Sequence, residues 1–249
     1  RELVLCCALS PAQVALYECA LTQLKREHSG GSMHLHAVMA LRVICSSGVA
    51  PATAPDDSEP PCPPRPPSEQ PQPPLSSKLA LLFGLLPQFV AAGDRAVVVS
   101  QFKATLDALQ RGFESLGLGV LRVDGSVTPA ARQDLVDRFN RPHSADSVFL
   151  LSSRAGGTGF NLTSANRLIL FDPDWNPAID EQAIARVYRP GQEREVYIWR
   201  LYSTSTIEEK MFERQIFKND LTSDVVADSG AAVKLDPQSM RDIFAYNRG

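Results

Sequence analysis

From residue 78 onward, short apolar runs alternate with longer stretches whose apolar positions recur at helical spacing. The pattern predicts helices over 78–91, 104–116, 129–139, 177–188 and 206–218. Between and after them it predicts strands over 96–100, 119–123, 147–151, 167–171 and 195–201. Runs such as Ala96-Val97-Val98-Val99-Ser100 are apolar on both faces, so these strands need cover above and below. Alternation of such strands with helices of about 10–15 residues implies an α/β fold, a parallel sheet with helices on both faces. Upstream, Ser10-Pro11 supplies an N-cap and a proline for the first turn of a helix striped by Val14, Leu16, Tyr17, Leu21 and Leu24. A second helix is predicted over 33–45, burying Leu35, Val38, Met39 and Leu41. Residues 1–50 thus read as an N-terminal helical segment leading into a lobe at 76–222. Residues 223–249 read as a tail with a short helix near 237–246.

Composition changes this picture mainly at one place. Residues 51–74 hold 11 of the 19 prolines, with Ser, Gln, Asp and Glu around them. Such a segment buries too little apolar surface to offset its ordering entropy, so 51–75 is expected to be a disordered proline-rich insert. Pro63-Pro64-Arg65-Pro66-Pro67 alternatively offers a docking site for a proline-reading domain. The net charge of −3 over 249 residues gives no basic coat, so any nucleic-acid contact must come from a local arrangement. Cys6, Cys7, Cys19, Cys45 and Cys62 are odd in number and contain no CxxC pair, which favours reduced thiols in an intracellular setting over a zinc site or disulfide framework. No apolar run is long enough to cross a bilayer. The chain begins without Met and in the manner of a strand, as expected for a piece of a longer polypeptide.

In open parallel sheets, ligands collect at the carboxyl ends of the strands. That rule selects four loops: 100–103, 124–128, 152–161 and 172–177. The third reads Ser152-Ser153-Arg154-Ala155-Gly156-Gly157-Thr158-Gly159-Phe160-Asn161-Leu162, and its glycines would let backbone amides approach an anion. The competing reading is a plain strand-to-helix turn. After Asn176-Pro177, Gln182, Arg186 and Arg189 follow at spacings of four and three and share a helix face, which Pro190-Gly191 ends. Two arginines on one face beside a glycine-rich loop can clamp a transferring phosphoryl group; the competing reading is a solvated face. Asp180-Glu181-Gln182-Ala183 resembles a magnesium-holding acidic box, but it follows a helix cap rather than an apolar strand, and that reading is rejected. No GxxxxGK[ST] is present, so the chain has no P-loop cradle of its own. Trp175 is either a buried anchor or an exposed wedge for a nucleic-acid groove. The four histidines have no metal-ligand spacing, and no metal ligand is expected.

Taken in order, Val97-Val98-Val99-Ser100-Gln101-Phe102, Asp124-Gly125-Ser126, the 152–162 loop, Asp172-Pro173-Asp174-Trp175-Asn176-Pro177 and Gln182-Ala183-Ile184-Ala185-Arg186-Val187-Tyr188-Arg189-Pro190-Gly191-Gln192 resemble the C-terminal RecA-like lobe of the Swi/Snf-type ATPases, within the superfamily-two helicase-like enzymes. The resemblance extends to Leu9-Ser10-Pro11-Ala12-Gln13 and Thr206-Ile207-Glu208-Glu209-Lys210. Arg214-Gln215-Ile216-Phe217-Lys218-Asn219-Asp220-Leu221 and the stretch from Asp236 to Tyr246 are most similar to the Rad-fifty-four recombination-repair group. One departure stands out: Ser46-Ser47-Gly48 follows Cys45 where relatives continue with Asn-His-Pro.

The resemblance implies a cleft in which ATP and Mg2+ are held mainly by a first lobe that this chain lacks. The present lobe would supply Arg186 and Arg189 as arginine fingers. Gly157 and Gly159 would shape the neighbouring loop, and Asp180 and Gln182 would orient the arginines. Gln101, Ser126, Arg154, Asn161 and Trp175 would face double-stranded DNA. The implied activity is ATP-driven translocation on duplex DNA in recombinational repair or chromatin remodelling, in the nucleus, with a recombinase or nucleosome as partner and no membrane. The chain alone is expected to hydrolyse almost no ATP. A strand-separating helicase lobe and a non-catalytic RecA-like interaction module are the rival readings.

Overall fold

A computed structural model describes residues 1–26, 34–49, 76–155 and 159–224. The proline-rich insert, Gly157 and the expected helix near 237–246 lie outside the described residues. The elements are β1 (Glu2–Cys7), α1 (Pro11–Arg26), α2 (His34–Ser47), α3 (Ser77–Ala91), β2 (Ala96–Ser100), α4 (Lys103–Ser115), β3 (Gly119–Val123), α5 (Pro129–Asn140), β4 (Asp146–Ser152), β5 (Arg167–Leu170), α6 (Pro177–Val187), β6 (Tyr197–Ser203) and α7 (Ile207–Asp224). A short 3-10 turn, Ser153–Ala155, follows β4.

The strands form a six-stranded sheet in the order β1-β6-β5-β2-β4-β3, every pair parallel. Alternate side chains of β2 serve two cores, as the period of two requires. Val97 and Val99 join Leu121, Phe149, Leu151, Leu168 and Leu170 under α5 and α6. Ala96 and Val98 join Val148, Leu150, Ile169 and Phe171 under α3 and α4. A third cluster, built from Tyr17, Leu21, Val38, Leu41, Ile44, Ile207 and Met211, unites α1, α2 and α7 beside the sheet.

The reading of residues 1–50 as a helical segment is corrected at its strand-like start, which is strand β1 of the sheet. This strand pairs with β6 from Glu2 opposite Ile198 to Cys7 opposite Ser203. Its partner lies nearly two hundred residues away, so local pattern gave no signal for the pairing. Gln13 then ties the two sides of the insert together. Its amide donates to the carbonyls of Ile44 (2.9 Å) and Cys45 (3.0 Å) and accepts from the backbone amides of Ser10 (3.1 Å) and Ser77 (3.0 Å).

Gly119 opens β3 where the pairing with β4 shifts register. A Cβ there would lie 2.3 Å from the Ala145 carbonyl oxygen, a backbone atom that cannot rotate away. Gly119→Ala is therefore expected to destabilise the chain by about 1–3 kcal/mol, in the range of other overpacking changes. Urea unfolding checks this; an unchanged midpoint would mean that the β3 edge yields freely.

Candidate nucleotide and DNA face

All six strands run the same way, so their carboxyl ends collect the four loops singled out by the sequence. Ser152, Ser153, Gln182 and Arg186 line one small pocket there, together with Val99, Leu151, Ile179 and Ala183. Phe160 is buried in the core beneath α5 and α6, and the Arg186 guanidinium lies over its ring, 5.0 Å from the centroid. The loop is further pinned by the Leu162 amide, which donates to the Arg186 carbonyl at 2.9 Å. Arg189 donates to the side-chain carbonyl of Asn161, which places the second arginine against the end of the same loop.

The electrostatics at this helix end favour an anion. Burial lowers the Arg186 pKa, and the positive charge of Arg189 lowers it further. Arg189 Nε is shielded from solvent and has no hydrogen-bond partner among the described residues. A phosphate oxygen is the kind of acceptor such a donor requires. Serine hydroxyls and the Gln182 amide supply neutral donors alongside. The donor set therefore fits a nucleotide phosphate.

Chain geometry explains why the arginines sit where they do. Asn176 caps α6 by accepting from the Ala178 amide at 3.2 Å, and Pro177 opens its first turn. Gly191 ends the segment at φ +96°, a conformation in which a side chain would be strained. Gln192 then donates to the carbonyls of Thr163, Ala165 and Val187 at 3.1, 2.7 and 3.2 Å. One amide thus clamps the chain after the glycine-rich loop to the end of α6. The sequence placed Gln192 in the arginine-containing stretch but gave no sign of this work.

Asp180 has a different place from the one expected of it. It is buried, and its carboxylate meets Arg200 at 2.9 Å and Gln215 at 3.3 Å. It therefore braces the start of α6 against β6 and α7, and Arg186 and Arg189 at the other end are not its partners. Arg200 is held above its usual value because Glu2 and Asp180 together outweigh its burial. Burial dominates at Asp180, where Arg200 and Gln215 compensate only in part and Asp174 opposes them, and its pKa is pushed up to about 6. A carboxyl raised by folding binds its proton more tightly in the native state, so stability is greatest below pH 4 for this group and falls as pH rises toward 6. The change amounts to about 3 kcal/mol. Asp180→Asn is expected to remove that slope in urea titrations between pH 4 and 6.5; an identical slope in the variant would place the proton elsewhere.

The expected DNA-facing residues also share this edge. Ser126 is exposed, with its amide (2.9 Å) and hydroxyl (2.5 Å) turned to Asp124, whose pKa these bonds hold down at about 2. Arg154, Gly159 and Asn161 are exposed. Gln101 is half-buried and reaches the Pro173 carbonyl at 3.5 Å. Trp175 is half-buried too, packed on the α1-α2-α7 cluster, so it acts at least as an anchor.

The chain is similar to several known proteins. Residues 77–191 match the helicase conserved C-terminal domain. The chain is 41% identical over 238 residues to the mouse DNA repair and recombination protein RAD54-like, an alignment covering 90% of this chain and 32% of that protein. It is 45% identical over 175 residues to the fission yeast (Schizosaccharomyces pombe) DNA repair protein rhp54, covering 70% of this chain and 20% of that protein. The Sulfolobus solfataricus SWI2/SNF2 ATPase core domain superposes with a TM-score of 0.73 at 25% identity, over all of this chain and 49% of that one. The chain belongs to the Swi/Snf-type ATPases.

It corresponds to their C-terminal RecA-like lobe and spans about a third of the length of the curated relatives it matches. The Sulfolobus solfataricus core solved in complex with double-stranded DNA matches with a TM-score of 0.69 at 28% identity, over 90% of this chain and 45% of that one. The Swi/Snf-type lobe here also differs from the family pattern productively. Ser46, at the Asn position of the usual Asn-His-Pro, donates to the buried Asp172 carboxylate, as does Ser100 from the end of β2. Among the described residues no helix is long and apolar enough to cross a membrane, and Cys6, Cys7 and Cys45 form no disulfide.

Proposed function

We propose that this chain is the second lobe of an ATP-dependent double-stranded-DNA translocase acting in homologous-recombination repair or chromatin remodelling in the nucleus. The observation that carries the reading is the placement of Arg186 over Phe160 and of Arg189 against Asn161, with a buried guanidinium nitrogen of Arg189 lacking an acceptor among the described residues. Charge spreads over the transferring phosphoryl oxygens in the transition state, and two preorganised guanidiniums stabilise it there. Acids of the first lobe would hold Mg2+, which when bound supplies positive charge against the nucleotide phosphates. Gln182, Ser152 and Ser153 would orient the nucleotide from the second lobe, and Phe160 would keep Arg186 in line. Gln101, Ser126, Arg154, Asn161 and Trp175 would meet the DNA backbone and groove. Contacts of this kind position the protein without reading sequence.

Opening and closing of the interlobe cleft would step the protein along duplex DNA. The test is displacement of a third strand from a triplex by the full-length protein, run beside a strand-separation assay. ATP-dependent triplex displacement with the duplex left intact supports the reading. Unwinding of the duplex would favour the strand-separating helicase, and neither activity would favour the interaction module.

A further inference from the structure

Arg42, on α2 and outside the 77–191 family match, is 2% exposed. A buried guanidinium is costly unless its donors are used, yet this one uses them sparingly. One terminal nitrogen donates to the Pro173 carbonyl at 2.5 Å and the other, among the described residues, meets the Met39 sulfur at 3.8 Å. Its Nε has no partner among the described residues. The guanidinium also lies over the Phe102 ring, 5.5 Å from the centroid. Burial depresses its charge, which Asp172, Asp174 and Glu208 support and Arg154 opposes. An apolar side chain of similar length would fill this space at lower cost, so packing alone is a poor reason for the arginine.

What the position offers is reach. Phe102 belongs to the loop after β2 and Pro173 to the loop after β5, so one guanidinium touches two strand-end loops. The Pro173 carbonyl is also the acceptor for Gln101. One helical turn further along α2, Ser46 holds Asp172, and Gln215 on α7 donates to the Asp174 carbonyl at 2.5 Å. Three successive residues of the 172–177 loop are therefore gripped from the helical layer, immediately before Trp175. We infer that Arg42 is a positioning residue that sets the 100–103 and 172–177 loops, and through them Gln101 and Trp175, for duplex DNA. This rests on the DNA-translocase reading above.

The test is a DNA titration of ATP hydrolysis by the full-length protein carrying Arg42→Met, which keeps the stem, or Arg42→Lys, which keeps the charge but cannot span both loops. The expected result is a rise of about tenfold in the DNA concentration for half-maximal stimulation, with the rate at saturating DNA within about twofold of wild type. Thermal unfolding of each variant is followed alongside, and Arg42→Lys serves if Arg42→Met does not fold. Superimposable DNA curves would overturn the inference. An equal loss of maximal rate and thermal stability would overturn it as well, and make Arg42 a core brace. A wild-type protein indifferent to DNA would remove the underlying reading, and that outcome is visible before any variant is made.

Discussion

Replacing Arg186 or Arg189 by Ala in the full-length protein is expected to lower DNA-stimulated ATP turnover by about 10³–10⁵-fold while duplex binding persists. The size follows from where the charge sits. Arg186 is fixed over Phe160 and Arg189 against Asn161, so little reorganisation is needed when phosphoryl charge develops. Lysine should rescue neither position well, because a single ammonium cannot reproduce a planar fork. Filter-binding and steady-state hydrolysis measured on one preparation separate the two effects. Parallel loss of DNA binding and turnover would mean that the arginines hold the lobe together and do not serve chemistry.

Breaking the buried ion pair beneath the same edge is expected to be the most damaging single change to stability. Lys78 at the start of α3 and Glu208 at the start of α7 are both fully buried, 2.6 Å apart. Lys78 also donates to the Phe171 carbonyl at 2.9 Å, and Glu208 accepts from the Ser203 amide at 2.8 Å. Burial pushes the Glu208 carboxyl up despite Lys78, so the pair is held against a real desolvation cost. Lys78→Met should leave an uncompensated buried acid and cost about 3–5 kcal/mol. The double variant Lys78→Met/Glu208→Leu should recover most of that loss, since matched apolar replacements of buried pairs are often neutral or better. Urea unfolding of the two variants measures it. Equal destabilisation by the single and double changes would show that hydrogen bonds to Phe171 and Ser203, and not the charge pairing, hold α3 and α7.

The parts of the fold that were legible are those whose cause is local. Ala96–Ser100 is apolar on both faces because both faces are covered, and the structure gives that strand the same bounds as the sequence pattern. Thr128-Pro129 and Asn176-Pro177 announced helix starts by capping chemistry, and both caps form. The β1 strand was not placed in the sheet because its strand partner β6 is remote in sequence. At the candidate site, helical spacing placed Gln182, Arg186 and Arg189 on one face; Gln182 and Arg186 line the pocket with Ser152 and Ser153, whereas α6 ends at Val187 and Arg189 lies beyond its Tyr188 cap. Spacing could not foresee that Asp180 turns to Arg200, nor that Gln192 clamps three carbonyls, because these partners lie on other elements. Arg42 and Lys78 were equally silent. A charged residue within an amphipathic run reads as a solvated face until packing shows it enclosed.

The central claim is that Arg186 and Arg189 meet the phosphoryl group across the interlobe cleft. Its most direct test is a structure of the full-length protein on duplex DNA with ADP and a fluoroaluminate mimic of the transferring phosphate. The account predicts both guanidiniums at hydrogen-bonding distance, about 3 Å, from the mimic or the β-phosphate. Arginines turned away from a closed, nucleotide-filled cleft would contradict it.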